Sequence, residues 1–181
     1  MTTLDDNQLL ERARKYEVRA LAEIYDRYAE PIYRYLYRIV GDAAQAEDLT
    51  SEVFCKLLHV LETPRSPNDK LQGWLYRVAH NLAMDWFREQ GKAAILELDD
   101  AFLSEGELPH QEVEKREMRQ RLREALRKLT PAQQKVILLR YGEGFKVAQV
   151  CEVMGKSEGA VKILQHRAVN RLRKLLESEG V

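Results

Sequence analysis

Two stretches of this sequence carry side chains suited to gripping nucleic acid. The first, VAQVCEVMGKSEGAVKILQHRAVNRLRKLL, lies near the C-terminus. At 100° per residue its second half gathers Lys162, Ile163, His166, Arg167, Asn170, Arg173 and Lys174 on one face. A stripe of Val161, Leu164, Ala168, Leu172 and Leu175 runs along the other. Cations on such a face can reach phosphates and base edges, and an exposed isoleucine can touch a thymine methyl. The second stretch is GWLYRVAHNLAMDWFREQ, where Tyr76, Arg77, His80, Met84, Phe87 and Arg88 spread outside an expected core stripe. That stripe is Leu71, Leu75, Val78, Leu82 and Trp86. Aromatics interleaved with cations offer unpaired bases a stacking partner and a phosphate counter-charge. The competing expectation is that Tyr76 and Phe87 pack against a neighbouring helix. Asn81 and Asp85, four apart on the flank, fit a structural pair as well as a recognition pair.

Other chemistries find little support. His59, His80, His110 and His166 are scattered, no glycine-rich phosphate loop is present, and no nucleophile sits beside a base. Cys55 and His59 share a helical face but make only half of a metal site. No enzyme activity, metal, cofactor or small-molecule substrate is therefore expected.

These residues need helices to position them, and helical periodicity dominates the chain. Leu9–Tyr28 and Pro31–Val40 read as two helices, the second tyrosine-rich and ending at Gly41. Ala43–Leu61 follows, with Asp42 as N-cap and Gln45 completing a capping box. A loop with two prolines spans Glu62 to Gly73, and Leu71–Gln90 forms a fourth helix. After an acidic, non-periodic stretch, helices are expected at about 111–128, 131–141, 146–154 and 157–177. Thr130, Pro131 and Gln133 supply a cap, a first-turn proline and a capping-box partner. Cys151 and Gly155 occupy the small-residue and turn positions that a helix-turn-helix requires, and Ser157 caps its second helix. The fold expected is all-α: two small helical domains joined by an acidic linker, the C-terminal one a helix-turn-helix.

Bulk composition agrees. With 181 residues, 9 Gly and 5 Pro, the chain suits one or two helical domains better than a β-sandwich. Two cysteines, a polar N-terminus and no apolar run of about 18 residues point to a soluble cytoplasmic protein without membrane insertion. Formal charge is zero, with 29 basic and 29 acidic side chains, but it is unevenly placed. Residues 1–64 carry a net −4, residues 65–92 +2, residues 93–117 −6 and residues 118–181 +8. A basic C-terminal third set apart by an acidic strip suits a nucleic-acid-binding module attached to something else.

On these motifs the chain resembles bacterial RNA polymerase sigma factors of the two-domain extracytoplasmic-function (ECF) group. AEDLTSEVFCKLL is similar to their region 2.2, which docks on the β′ coiled coil of polymerase. WLYRVAHNLAMDWFREQ is similar to region 2.3–2.4, which recognises and opens the −10 element. LTPAQQKVILLRYGEGFKVAQVCEVMGKSEGAVKILQHRAVNRL is similar to region 4, which reads the −35 element. The resemblance implies a region 2 domain at 1–92, a linker at 93–112 and a region 4 domain at 113–181. It implies polymerase binding by Asp48, Glu52 and Phe54, and −10 contacts by Trp74, Arg77, His80, Asn81, Phe87 and Arg88. It assigns −35 contacts to Ser157, Lys162, Ile163, His166, Arg167 and Arg171. The loop 62–73 would capture a base flipped from the −10 strand, and the linker would thread through the polymerase. Implied partners are the β′ and β subunits of polymerase core, promoter DNA and an anti-sigma factor. Ser51 stands where the family often has glutamine, and Cys151 where alanine is more usual.

A rival is a stand-alone helix-turn-helix regulator that needs no polymerase. It would account for 113–177 but leaves the loop and aromatic helix at 62–90 unexplained.

Overall fold

The computed structural model describes residues 4–67, 70–91 and 112–178. The chain divides into two compact units, 1–93 and 94–181. The acidic stretch read as a linker lies outside the described residues up to Gln111.

The first unit holds α1 (Asp6–Ala13), α2 (Val18–Val40), α3 (Ala43–Val60) and α4 (Leu71–Glu89). Four helices occur among the described residues, but the expected division between the first two is wrong. α2 runs straight through Pro31, and the break falls at residues 14–17 instead. An interior proline costs about 3 kcal/mol. It is outweighed here because Ile32, Tyr35, Leu36 and Ile39 stay in phase with the buried Ile24 and Tyr28. Each such side chain contributes about 1.5–3 kcal/mol when buried. α1 ends where Tyr16 takes a left-handed φ of 54°, its N–H bonded to the Ala13 carbonyl at 2.9 Å. That conformation is usually left to glycine, so a tyrosine at this position is no signal of a helix end.

Asp6 ties α1 to α2 by accepting from Arg27 (2.8 Å) and from the Tyr28 hydroxyl. Asp42 caps α3 through the Gln45 N–H at 2.8 Å, and Gly41 closes α2 at φ 71°. α4 packs against all three other helices, and its Tyr76 ring meets Tyr35 edge-on at 5.0 Å.

The second unit holds α5 (Glu112–Arg127), α6 (Pro131–Ile137), α7 (Val147–Met154) and α8 (Glu158–Ser178). Thr130 and Gln133 form the expected reciprocal cap of α6. Beyond Ile137 the helix continues as a wider π turn over Leu138–Gly142. Val136, Ile137, Leu138, Leu139, Phe145, Val150, Val153, Val161 and Ala168 make the core with Leu126 and Leu129. Among the described residues the only regular elements are helices, and none is long and apolar enough to cross a membrane.

Candidate nucleic-acid interface

α7 and α8 are joined by a tight turn in which Gly155 sits at φ +63°. No neighbour would meet an added Cβ there, so glycine is needed for the backbone conformation alone. Cys151, four residues earlier, is half-buried, and its carbonyl accepts the Lys156 N–H at 3.2 Å. Ser157 Oγ accepts the Ala160 N–H at 3.3 Å, so this hydroxyl starts the helix it was expected to use on DNA.

α8 anchors itself through Val161 and Ala168, while Leu164, Leu172 and Leu175 are only half-buried. Its outer side exposes Lys162, His166, Arg167, Arg171, Arg173 and Lys174, with Ile163 standing 56% exposed among them. Lys162 Nζ pairs with Glu158 Oε1 at 2.5 Å. That hydrogen bond raises the ammonium above its ordinary pKa and lowers the carboxyl below its own. His166 Nε2 accepts from the Asn170 amide at 2.8 Å. Six side chains expected at this face are thus brought together, one as its cap.

A feature beyond the helical wheel lies beside this face. Lys128 and Thr130, from the α5–α6 corner, line a cleft with Arg167, Asn170, Arg171 and Lys174 of α8. Gln133 completes the lining, which contains four cations and no carboxylate. Lys128 escaped the sequence reading because it joins α8 only through tertiary packing, about forty residues away in the chain.

In the first unit, α4 exposes Arg77, Asn81 and Arg88, with Trp74 and Trp86 half-buried. Three expectations need correction. Phe87 is 8% exposed and Tyr76 2%, so neither ring stands free for a base. His80 is half-buried, with Nδ1 hydrogen-bonded to the Tyr35 hydroxyl at 3.0 Å. The cause is common to all three: a helix flanked by three neighbours buries more of its circumference than one stripe. Asp85 pairs with Arg88, not with Asn81.

The loop between α3 and α4 is tethered from α1. Arg14 donates through Nη2 to the Pro67 carbonyl at 2.9 Å and through Nε to Ser66 Oγ at 3.4 Å. Ser66 is buried. Nothing in the local sequence pattern linked Arg14 to this loop.

On α3, Asp48 and Glu52 are exposed, and Glu52 pairs with Lys56 at 3.4 Å. Phe54 is mostly covered, its ring 4.9 Å from that of Tyr25. Like Phe87 it is a core ring, so the expected contact of Phe54 with polymerase needs the same correction: it supports α3 from beneath and presents little surface to a partner. His59 donates through Nδ1 to the Cys55 carbonyl at 2.7 Å, and among the described residues no metal-ligating cluster forms.

Comparison with known proteins agrees with this division. Residues 24–93 match Sigma-70 region 2, and residues 119–172 match Sigma-70, region 4. The ECF RNA polymerase sigma factor BldN of Streptomyces coelicolor is 38% identical over 96% of this chain, which spans 66% of BldN. The ECF RNA polymerase sigma factor SigX of Bacillus subtilis is 32% identical over 85% of this chain and 82% of its own length. The structure of CnrH in complex with the cytosolic domain of CnrY shares the fold, with TM-score 0.67 and 21% identity. That likeness covers 97% of this chain and 99% of CnrH. With a two-part match in this order and relatives above 30% identity, the chain belongs to the ECF group of RNA polymerase sigma factors of the sigma-70 family.

Proposed function

We propose that this chain binds polymerase core through α3, opens the −10 element with α4 and its preceding loop, and reads the −35 element with α8. The observation that carries the reading is the outer side of α8, where Lys162, Ile163, His166 and Arg167 project together from a helix-turn-helix. A recognition helix reads bases through such residues while flanking cations hold phosphates. Arg171, Lys174 and Lys128 supply that second function from the cleft. Region 2 work falls to residues 1–92 and region 4 work to 113–181.

Promoter opening here is a binding problem and needs no bond-making chemistry. Flipping a base costs a few kcal/mol. Stacking on an aromatic side chain returns about 1–3 kcal/mol per base. With Tyr76 and Phe87 buried, stacking falls to Trp74 and Trp86, and the phosphates to Arg77 and Arg88. Asn81 is exposed on the same helix and serves as a polar base contact. His80 supports α4 through Tyr35. Asp48 and Glu52 present the negative charge for the polymerase contact, with Phe54 packed beneath them as support for α3.

Membership of the ECF group also implies a protein partner that restrains the chain, an anti-sigma factor. Run-off transcription with purified polymerase core over a genomic promoter library tests the whole reading. Discrete start sites that depend on this chain are expected. A chain that neither co-purifies with core nor yields such start sites overturns it.

A further inference from the structure

The end of α6 is built to hold α8 at a fixed roll. Past Ile137 the helix widens by one residue, and the Glu143 N–H reaches the Leu138 carbonyl, five residues back, at 3.0 Å. π turns of this kind often mark functional positions. Here the widening keeps Leu138 and Leu139 buried together while Arg140 and Tyr141 both reach α8. Arg140 Nε donates to Gln165 Oε1 at 3.1 Å, and its Nη1 donates to the Phe145 carbonyl. Gln165 Nε2 in turn donates to the Tyr141 hydroxyl oxygen at 3.1 Å. A guanidinium can only donate, so it must face the amide oxygen, which leaves the NH2 for the phenol.

A latch at this point adds direction to the way α8 packs. Its fully buried residues are Val161 and Ala168, two short side chains seven apart on one line. Leu164, Leu172 and Leu175 flank this seam half-buried, so a directional hydrogen-bond latch off the line adds to the packing that opposes rotation of the helix about its own axis. Gln165 sits off that line, next to His166 and three residues after Lys162. With side chains about 6 Å from the helix axis, a roll of about 20° moves their tips by about 2 Å. That displacement is well beyond the roughly 0.5 Å within which a recognition constellation must be held.

We propose that Arg140, Gln165 and Tyr141 are positioning residues for −35 recognition, a hydrogen-bonded latch that fixes the roll of α8. The proposal rests on α8 being the promoter-reading helix. The latch itself touches no base; it sets the direction in which Ile163 and His166 point.

The test is the ratio of holoenzyme affinities for a cognate promoter and the same promoter with a scrambled −35 element. Tyr141→Phe removes the acceptor for Gln165 but keeps the exposed ring. Gln165→Leu removes both bonds. Each is expected to lower the ratio about five- to tenfold, the size of coupling usual for a contacting network. The loss should fall on the cognate promoter, with scrambled binding unchanged. The double variant should lose no more than the worse single, because all three groups act as one unit. Gln165→Glu should keep the ratio, since its carboxylate accepts from both Arg140 and the Tyr141 hydroxyl. Unchanged ratios in both single variants, or losses that simply multiply in the double, would overturn the latch. A wild-type holoenzyme that does not distinguish the two promoters would overturn the reading beneath it, a separate and recognisable failure.

Discussion

Lys162 is ion-paired to Glu158 one turn earlier on α8, Nζ to Oε1 at 2.5 Å, so the reading helix carries a carboxylate beside its leading cation. In the major groove only cytosine, through N4, and adenine, through N6, offer a donor to such a carboxylate; everywhere else it meets acceptors and phosphates. On the proposed reading, Glu158 would penalise wrong sequences while it steers Lys162. Glu158→Gln is expected to tighten holoenzyme binding to scrambled −35 DNA several-fold and to narrow the gap to cognate DNA. Lys162→Ala should weaken cognate binding on the order of tenfold and leave scrambled binding less affected. Fluorescence anisotropy with the two duplexes measures both. Equal effects on both duplexes would remove Lys162 and Glu158 from base recognition.

The cleft beside α8 makes the opposite prediction. Lys128, Arg171 and Lys174 line it beside Arg167 without a carboxylate among them, which suits these three to backbone phosphate and not to base edges. Lys128→Gln and Lys174→Gln should each weaken binding uniformly across sequences. Each should lower the slope of log affinity against log salt by about 1. Salt titrations with cognate and scrambled promoters check this. A changed sequence preference with an unchanged slope would contradict it.

Tyr28 gives the first unit an alkaline limit. Burial raises its phenol pKa most, and the hydrogen bond to Asp6 raises it further. The folded pKa thus lies above the unfolded value of about 10. Stability from this group is complete below that value and is lost as pH climbs beyond it. The thermal midpoint should accordingly fall above about pH 10, and Tyr28→Phe should flatten that limb while lowering stability at neutral pH. Thermal melts between neutral and strongly alkaline pH decide the point, and an unchanged alkaline limb in Tyr28→Phe would count against it.

How much of this was legible in the sequence depends on where each constraint originates. The wheel of α8 named Lys162, Ile163, His166 and Arg167 correctly as surface residues, because one helix face settles the matter locally. Gly155 and Thr130 were legible for the same reason: a turn or cap is fixed by its own residues. α4 misled because exposure there is decided by three neighbours, so Tyr76 and Phe87 turned inward and His80 became half-buried despite lying off the stripe. Pro31 misled because its local cost is real yet smaller than the burial it interrupts. Lys128, Arg14 and Gln165 went unnoticed as partners because each reaches its site from a distant stretch of chain.

Arg14 leads to the last prediction. It holds the loop ahead of α4 by one charged hydrogen bond to the Pro67 carbonyl at 2.9 Å and a longer one to Ser66. Hydrogen bonds to a charged group contribute about 1.5–3 kcal/mol, toward the lower end where water has access. If the loop traps a flipped −10 base, loosening it should impair opening and spare duplex recognition. Arg14→Ala is expected to reduce open-complex formation on the order of tenfold, with closed-complex affinity unchanged. Arg14→Lys should recover part of it, because an ammonium can still donate to one oxygen but not span both. Permanganate reactivity of −10 thymines reports opening, and filter binding of the duplex reports recognition. A promoter built with a −10 bubble separates trapping from misfolding. Initiation from it should be restored if Arg14 acts through the trap, whereas a general folding defect would persist on that template as on the closed one.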